Sequence, residues 1–103
     1  MCIEVYRFSS KFPDSERFGL QSHIRRAAVS VPSNIAEGFG RQNTNEMTRF
    51  LRIARGSLFE VRTQVLLAER LGYCNKDDSP HTVIDETDRV LQGLIRSLTP
   101  PSS

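Results

Sequence analysis

The feature that most constrains this chain is a run in which Met47, Leu51, Ala54, Leu58, Val61, Val65 and Ala68 follow one another at alternating intervals of four and three. A mean spacing of about 3.5 residues puts all seven side chains on one face of an α-helix and suits a seam in a left-handed bundle. The ends of the run are also marked. Asn43 precedes it as an N-cap with Glu46 three residues later, a capping-box pair, and Gly72 follows as a C-terminal stop.

The flanking segments repeat the pattern. Between Ser15 and Phe39 the residues Leu20, Ile24, Ala27, Val31 and Ile35 form one stripe. It contains Pro32, which removes the backbone bond to Ala28 and predicts a kink. Asn34, Ser30 or Ser33 is expected to satisfy the carbonyl so freed, and Gly38 and Gly40 to supply the permissive conformations that end the helix. A fourth helix is expected from Ser79 as N-cap and Pro80 at the first helical position, with Ile84, Thr87, Leu91, Leu94 and Leu98 as its seam. The first segment, Met1 to Lys11, stops before Pro13, opens without a cap and gives only about three turns. No stretch alternates apolar and polar residues as a strand does. The expectation is all-α: an antiparallel, up-and-down, left-handed four-helix bundle with a short first helix, one domain over residues 1–103 with residues 99–103 a disordered tail.

Size and composition exclude several classes of function. A chain of 103 residues holds one small domain, and 38% hydrophobic with 25% charged residues describes a folded chain. Its longest apolar run, Val65 to Ala68, is far below the roughly 18 residues a membrane span needs, and residues 1–7 lack the pattern of a signal peptide. A cytoplasmic protein is expected. Cys2 and Cys74, far apart and without CxxC spacing, are expected to be reduced bystanders. The sequence has no Walker A loop, no G-x-G-x-x-G, no HExxH and no EF-hand loop, so no cofactor, metal or small-molecule substrate is expected. Glu37 and Glu46 read as solvated or capping carboxylates. Arg17 and His23 fit a loose spacing used by some helical-bundle ribonucleases, with His23 as acid or base and Arg17 on the phosphate.

Charge is the stronger lead. Twelve of the fourteen basic residues are Arg, and residues 17–70 hold nine Arg against four Glu. Arg binds phosphate bidentately and stacks on bases. Arg25 and Arg26, Arg41, and then Arg49, Arg52 and Arg55 form a candidate nucleic-acid surface. Steps of three along a helix space the last three by about 4.5 Å of rise. The bland reading is that these arginines pair with Glu37, Glu46, Glu60 and Glu69. On the third helix, Ile53, Phe59, Leu66 and Leu67 point away from the seam together with Gly56, whose presence costs roughly 1 kcal/mol against Ala. A second subunit approaching there accounts for both features, which makes a homo-oligomer the expectation.

The stretch from Arg25 to Arg41, RRAAVSVPSNIAEGFGR, closely resembles the four helix bundle protein family, also called the 23S rRNA intervening-sequence protein family. Further resemblance lies in Arg49 to Glu60, in Thr63-Gln64 and in Leu71-Gly72-Tyr73. It implies a left-handed up-and-down bundle in a ring-forming homopentamer, with genes in intervening sequences of bacterial large-subunit rRNA genes and elsewhere. No enzymatic activity or cofactor is implied. A similar accessory protein of diversity-generating retroelements binds nucleic acid and a reverse transcriptase, so both nucleic acid and a protein partner are implied. Family members usually begin with a further stretch containing an apolar-Trp-Gln pattern, absent here, and Arg62 stands where Glu is common. Within the matched block, Pro32, Asn34, Glu37 and Gly38 are expected to be structural: Asn34 repairs the kink, Glu37 pairs with an Arg, and Gly38 allows the turn. The expected function is a non-enzymatic, oligomeric RNA- or DNA-binding accessory or scaffold. The alternative is a protein-interaction scaffold without nucleic acid, and the third reading is the ribonuclease.

Overall fold

Four α-helices form among the described residues: α1 (Cys2–Ser9), α2 (Leu20–Phe39), α3 (Thr44–Arg70) and α4 (His81–Leu98). Residues 1–99 are described by the computed structural model, and among them there is no strand. At about 1.5 Å per residue, α3 is about 40 Å long. It accounts for most of the 47 Å long axis, against which the other extents are 23 and 19 Å. α2 packs along α3, α4 also packs on α3, and α1 packs on α2. The seam is why: Leu51, Ala54, Leu58, Val61, Val65 and Ala68 are completely buried, and Met47 packs at its margin. Ile24 and Val31 of α2, with Ile84 and Leu91 of α4, close over them. Ile35, Leu94 and Leu98 lie half-buried at the edge of the same core.

The helix ends correct several expectations. α2 starts at Leu20 and not Ser15, because Asp14–Glu16 makes a 3₁₀ turn that returns Glu16 to the helix mouth. There Glu16 Oε1 accepts the Leu20 N–H at 2.9 Å, a carboxylate at the positive end of the helix dipole. α4 starts at His81, one residue later than expected: Pro80 occupies the capping position, its carbonyl accepting the Ile84 N–H at 3.1 Å. Ser79 does not cap, because its hydroxyl donates to Glu69. On α3, Asn43 Oδ1 accepts from Asn45 and Glu46 at 2.8 and 3.2 Å, as a cap should. The other half of the capping box does not form, since the Glu46 carboxylate takes Arg49 instead, at 2.7 Å.

At the C-terminus of α3, Gly72 has φ +77°. The Tyr73 N–H reaches the Ala68 carbonyl and the Gly72 N–H that of Glu69. This is a Schellman stop, which requires the left-handed conformation Gly adopts without strain. It delivers Tyr73 onto the bundle end, where its ring meets Phe12 at 5.8 Å and its hydroxyl donates to Glu16 at 2.7 Å. Gly38 and Gly40 are different. Both are right-handed, Gly38 inside α2 and Gly40 at φ −78°, so neither ends the helix by a special conformation. Gly38 is buried, and a Cβ there would lie 3.1 Å from the Met47 carbonyl oxygen and 3.2 Å from Phe50 Cβ. Its role is close approach of α2 to α3.

α2 runs unbroken through Pro32. The freed Ala28 carbonyl is taken by neither Asn34 nor a serine of α2. Asn34 donates to Ser30, Ser33 to Val29 and Ser30 to Ala27. The Cys2 thiol, arriving from α1, donates to Ala28 O at 3.2 Å. Cys2 is therefore no bystander, and burial pushes its thiol pKa up, keeping the donor proton in place. Of the expected tail, Thr99 donates its hydroxyl to the Ile95 carbonyl, and residues 100–103 lie outside the described residues. No described helix is long and apolar enough to cross a membrane.

Candidate nucleic-acid interface

The six candidate arginines divide by what holds them. Arg25 is half-buried on α2 and reaches to α1: Nε donates to Ser9 Oγ at 2.9 Å, Nη2 to the Tyr6 carbonyl at 3.1 Å, and the guanidinium lies 4.6 Å over the Tyr6 ring. Arg41, in the α2–α3 connection, and Arg49, on α3, both lie over the Phe50 ring, at 5.0 and 4.7 Å. Each has one exposed carboxylate, Glu37 at 3.1 Å and Glu46 at 2.7 Å. The hydrogen bond and charge of Arg49 hold Glu46 below the usual carboxylate range. Exposed pairs of this kind contribute about 0–1 kcal/mol, so a phosphate can exchange for either carboxylate at little cost. Arg26 and Arg52 are exposed and have no carboxylate partner among the described residues.

Arg55 is committed differently. Its Nε meets Asp88 Oδ1 at 2.7 Å, and Asp88 also accepts from Gln92 at 2.8 Å. Burial alone would raise the Asp88 pKa, but the Arg55 and Gln92 hydrogen bonds and the charges of Arg55 and Arg62 outweigh it, so the carboxyl sits below its ordinary value. Arg62 pairs with Asp85 at 2.9 Å. Between the two arginines lies Phe59, its ring 4.9 Å from Arg55 and 5.3 Å from Arg62. These groups join α3 to α4.

Sequence reasoning missed Asp85 and Asp88 as partners. A signal was present: Arg55 and Arg62 are seven apart on a flank of α3, and Asp88 sits one turn from Ile84 on the buried side of α4. Of the anticipated acidic partners, Glu37 and Glu46 pair as expected, and Glu60 has no ion-pair partner among the described residues. Glu69 takes no arginine. It is half-buried at the α3–α4 corner, where its carboxylate accepts from the Ser79 hydroxyl and stands 2.7 Å from His81 Nε2. The Ser79 bond is the largest influence holding Glu69 below its ordinary pKa.

Arg17 turns onto Phe18, 5.5 Å from the ring centre, and the exposed His23 side chain has no hydrogen-bond partner among the described residues. The outward apolar set is exposed as expected: Ile53 by 40%, Phe59 by 39%, Leu66 by 48% and Leu67 by 47%. At Gly56 an added Cβ would meet nothing within 4 Å. Pro32, Asn34, Glu37 and Gly38 lie along the C-terminal half of α2. Asn34 and Glu37 are engaged within the chain, with Ser30 and Arg41, and Gly38 is buried against α3.

One family model, described as 23S rRNA-intervening sequence protein, matches residues 1–96. The chain belongs to this family. No curated protein matches it. In this member of the 23S rRNA-intervening sequence proteins, the matched block combines a proline-containing helix repaired from α1, a glycine contact between α2 and α3, and an arginine cluster on Phe50.

Proposed function

We propose that the protein is a non-enzymatic, homo-oligomeric accessory or scaffold factor that binds RNA or DNA through Arg25, Arg26, Arg41, Arg49 and Arg52. The observation carrying this reading is that Arg26 and Arg52, on neighbouring helices, are exposed without a carboxylate partner among the described residues, while Arg41 and Arg49 are restrained only by exposed pairs. Such groups meet phosphate with little desolvation and little loss of existing bonds. Arg55 contributes chiefly by holding α4 in place. A cytoplasmic setting and a pentameric ring belong to the same proposal, and repetition around a ring would multiply the cationic surface.

The test is fluorescence-anisotropy binding of structured rRNA fragments and duplex DNA across a salt series. Affinity is expected to fall linearly on a log-log plot, with the slope reduced by about two when Arg49 and Arg52 both become Ala. No binding at low salt by an intact oligomer would overturn it in favour of a protein-interaction scaffold, the reading that the exposed Ile53, Phe59, Leu66 and Leu67 favour. We assign no catalytic role to Arg17 and His23. RNA cleavage by the purified protein that is lost in His23→Ala would reverse that assignment.

A further inference from the structure

A second cationic feature lies between α1 and the start of α2. Tyr6, Arg17, Phe18, Arg25 and Arg26 are among the residues lining an open groove of about 550 Å³. That size lies within the range of about 300–1,000 Å³ occupied by small-molecule sites, enough for a base with its sugar-phosphate. Three of the lining residues are Arg and none is acidic. The nearby Glu16 carboxylate is engaged by the Leu20 N–H and the Tyr73 hydroxyl.

Two aromatic residues belong to the same groove. Phe18 is 88% exposed, more than any other large apolar residue described, and Tyr6 is 42% exposed. Burial in the bundle does not explain an aromatic ring left in water, and Arg17 contacts it at the distance of a cation–π pair. Arg25 is already positioned. Two of its five N–H groups are spent on Ser9 and Tyr6, leaving three to meet a phosphate without a fresh loss of side-chain freedom.

From this we infer that the α1–α2 groove is a site for single-stranded nucleic acid, in which an unpaired base stacks on Phe18 while Arg17, Arg25 and Arg26 hold the flanking phosphates. Alternation of guanidinium and aromatic groups is the chemistry of single-strand recognition, since every base has a face to stack and every linkage a charge to neutralise. In a duplex both faces of an internal base are covered by its neighbours, so Phe18 has nothing to meet. The inference rests on the proposed nucleic-acid function and narrows it to unpaired strands at this groove.

The chain contains no Trp, which makes Phe18→Trp a site-specific reporter. The chain carrying this change is titrated with a 12-nucleotide oligo(U), with a blunt DNA duplex and with phosphatidylglycerol vesicles, and anisotropy is measured in parallel for wild type and Phe18→Ala. The expected result is quenching of the introduced indole by oligo(U) and not by duplex, with at least an about fivefold affinity loss for oligo(U) in Phe18→Ala. Duplex affinity should be unchanged in Phe18→Ala. If wild type binds both nucleic acids and Phe18→Ala changes neither, without quenching, the groove assignment falls and the broader function stands. If wild type binds neither at low salt, both fall. Quenching by vesicles alone, or by self-association at rising protein concentration, would assign the groove to a membrane surface or a subunit contact and overturn the proposal.

Discussion

Cys2 and Gly38 each serve the α2 helix through a single close contact, one by donating a hydrogen bond and the other by lacking a Cβ. Ala28 is fully buried, so its carbonyl would be unsatisfied without the Cys2 thiol. Cys2→Ala is expected to destabilise the chain by about 1–2 kcal/mol, and Cys2→Ser, which keeps a donor, to recover most of that in a urea denaturation series. Equal losses in the two variants would show that the thiol's packing and not its donor matters. At Gly38 an added methyl group gains about 1 kcal/mol of helix propensity but presses on the backbone oxygen of Met47, which cannot swing aside as a side chain can. Overpacking costs about 1–3 kcal/mol. Gly38→Ala is therefore expected to lower the denaturation midpoint, and a raised midpoint would refute the close-approach role.

Between elements, the joint of α3 with α4 is a polar cluster set beside an apolar seam. Asp88 is fixed by Arg55 and Gln92 and lies next to Ile84 and Leu91, so removing its charge leaves the Arg55 guanidinium without its carboxylate, while Arg62 keeps Asp85. Asp88→Ala is expected to cost about 1–2 kcal/mol, a modest figure because Arg55 is about one-third exposed and solvent screens the pair. The loss should be read as lowered hydrogen-exchange protection concentrated in α4. Uniform loss across all four helices would argue that α4 does not open separately. Glu69 forms a second joint at the corner between the same helices.

For the whole molecule, both joints make stability depend on acid. Asp88 and Glu69 have folded pKa values below their unfolded values of about 3.9 and 4.3. Their contribution is therefore fully present above the unfolded values and is lost as pH falls through the folded ones. The thermal midpoint is expected to hold from pH 7 to about pH 5 and to drop below about pH 4, with the drop reduced in Glu69→Gln. An undiminished drop in that variant would place the acid sensitivity elsewhere. Assembly gives a second prediction at this scale. Gly56 and Gly93 are both exposed with open space around their missing Cβ, on α3 and α4. Either change to Ala should stabilise the isolated chain by about 1 kcal/mol. If subunits meet through the outer face of α3, sedimentation should show Gly56→Ala weakening the oligomer and Gly93→Ala leaving it intact. Retention of full assembly by Gly56→Ala would remove that face from the interface.

Much of this protein is written in local order. The 4-3 seam from Met47 to Ala68, the Asn43 cap and the Gly72 stop were legible because helix periodicity and end signals act within a few residues and add along the segment. The outward position of Ile53, Gly56, Phe59, Leu66 and Leu67 follows from the same geometry. Partners chosen across the fold were not legible. Cys2 reaches Ala28 over 26 positions, Arg55 reaches Asp88 over 33 and Tyr73 reaches Glu16 over 57. Nor could spacing reveal that Arg17 and Phe18, from the loop before α2, would share a groove with Tyr6 of α1. Hydrogen bonds and ion pairs are short-ranged and directional, so which donor meets which acceptor depends on how the helices settle against one another. The sequence by itself determined the helices and their buried faces, and the tertiary structure decided which arginines are bound to other groups of the chain and which have no carboxylate partner among the described residues.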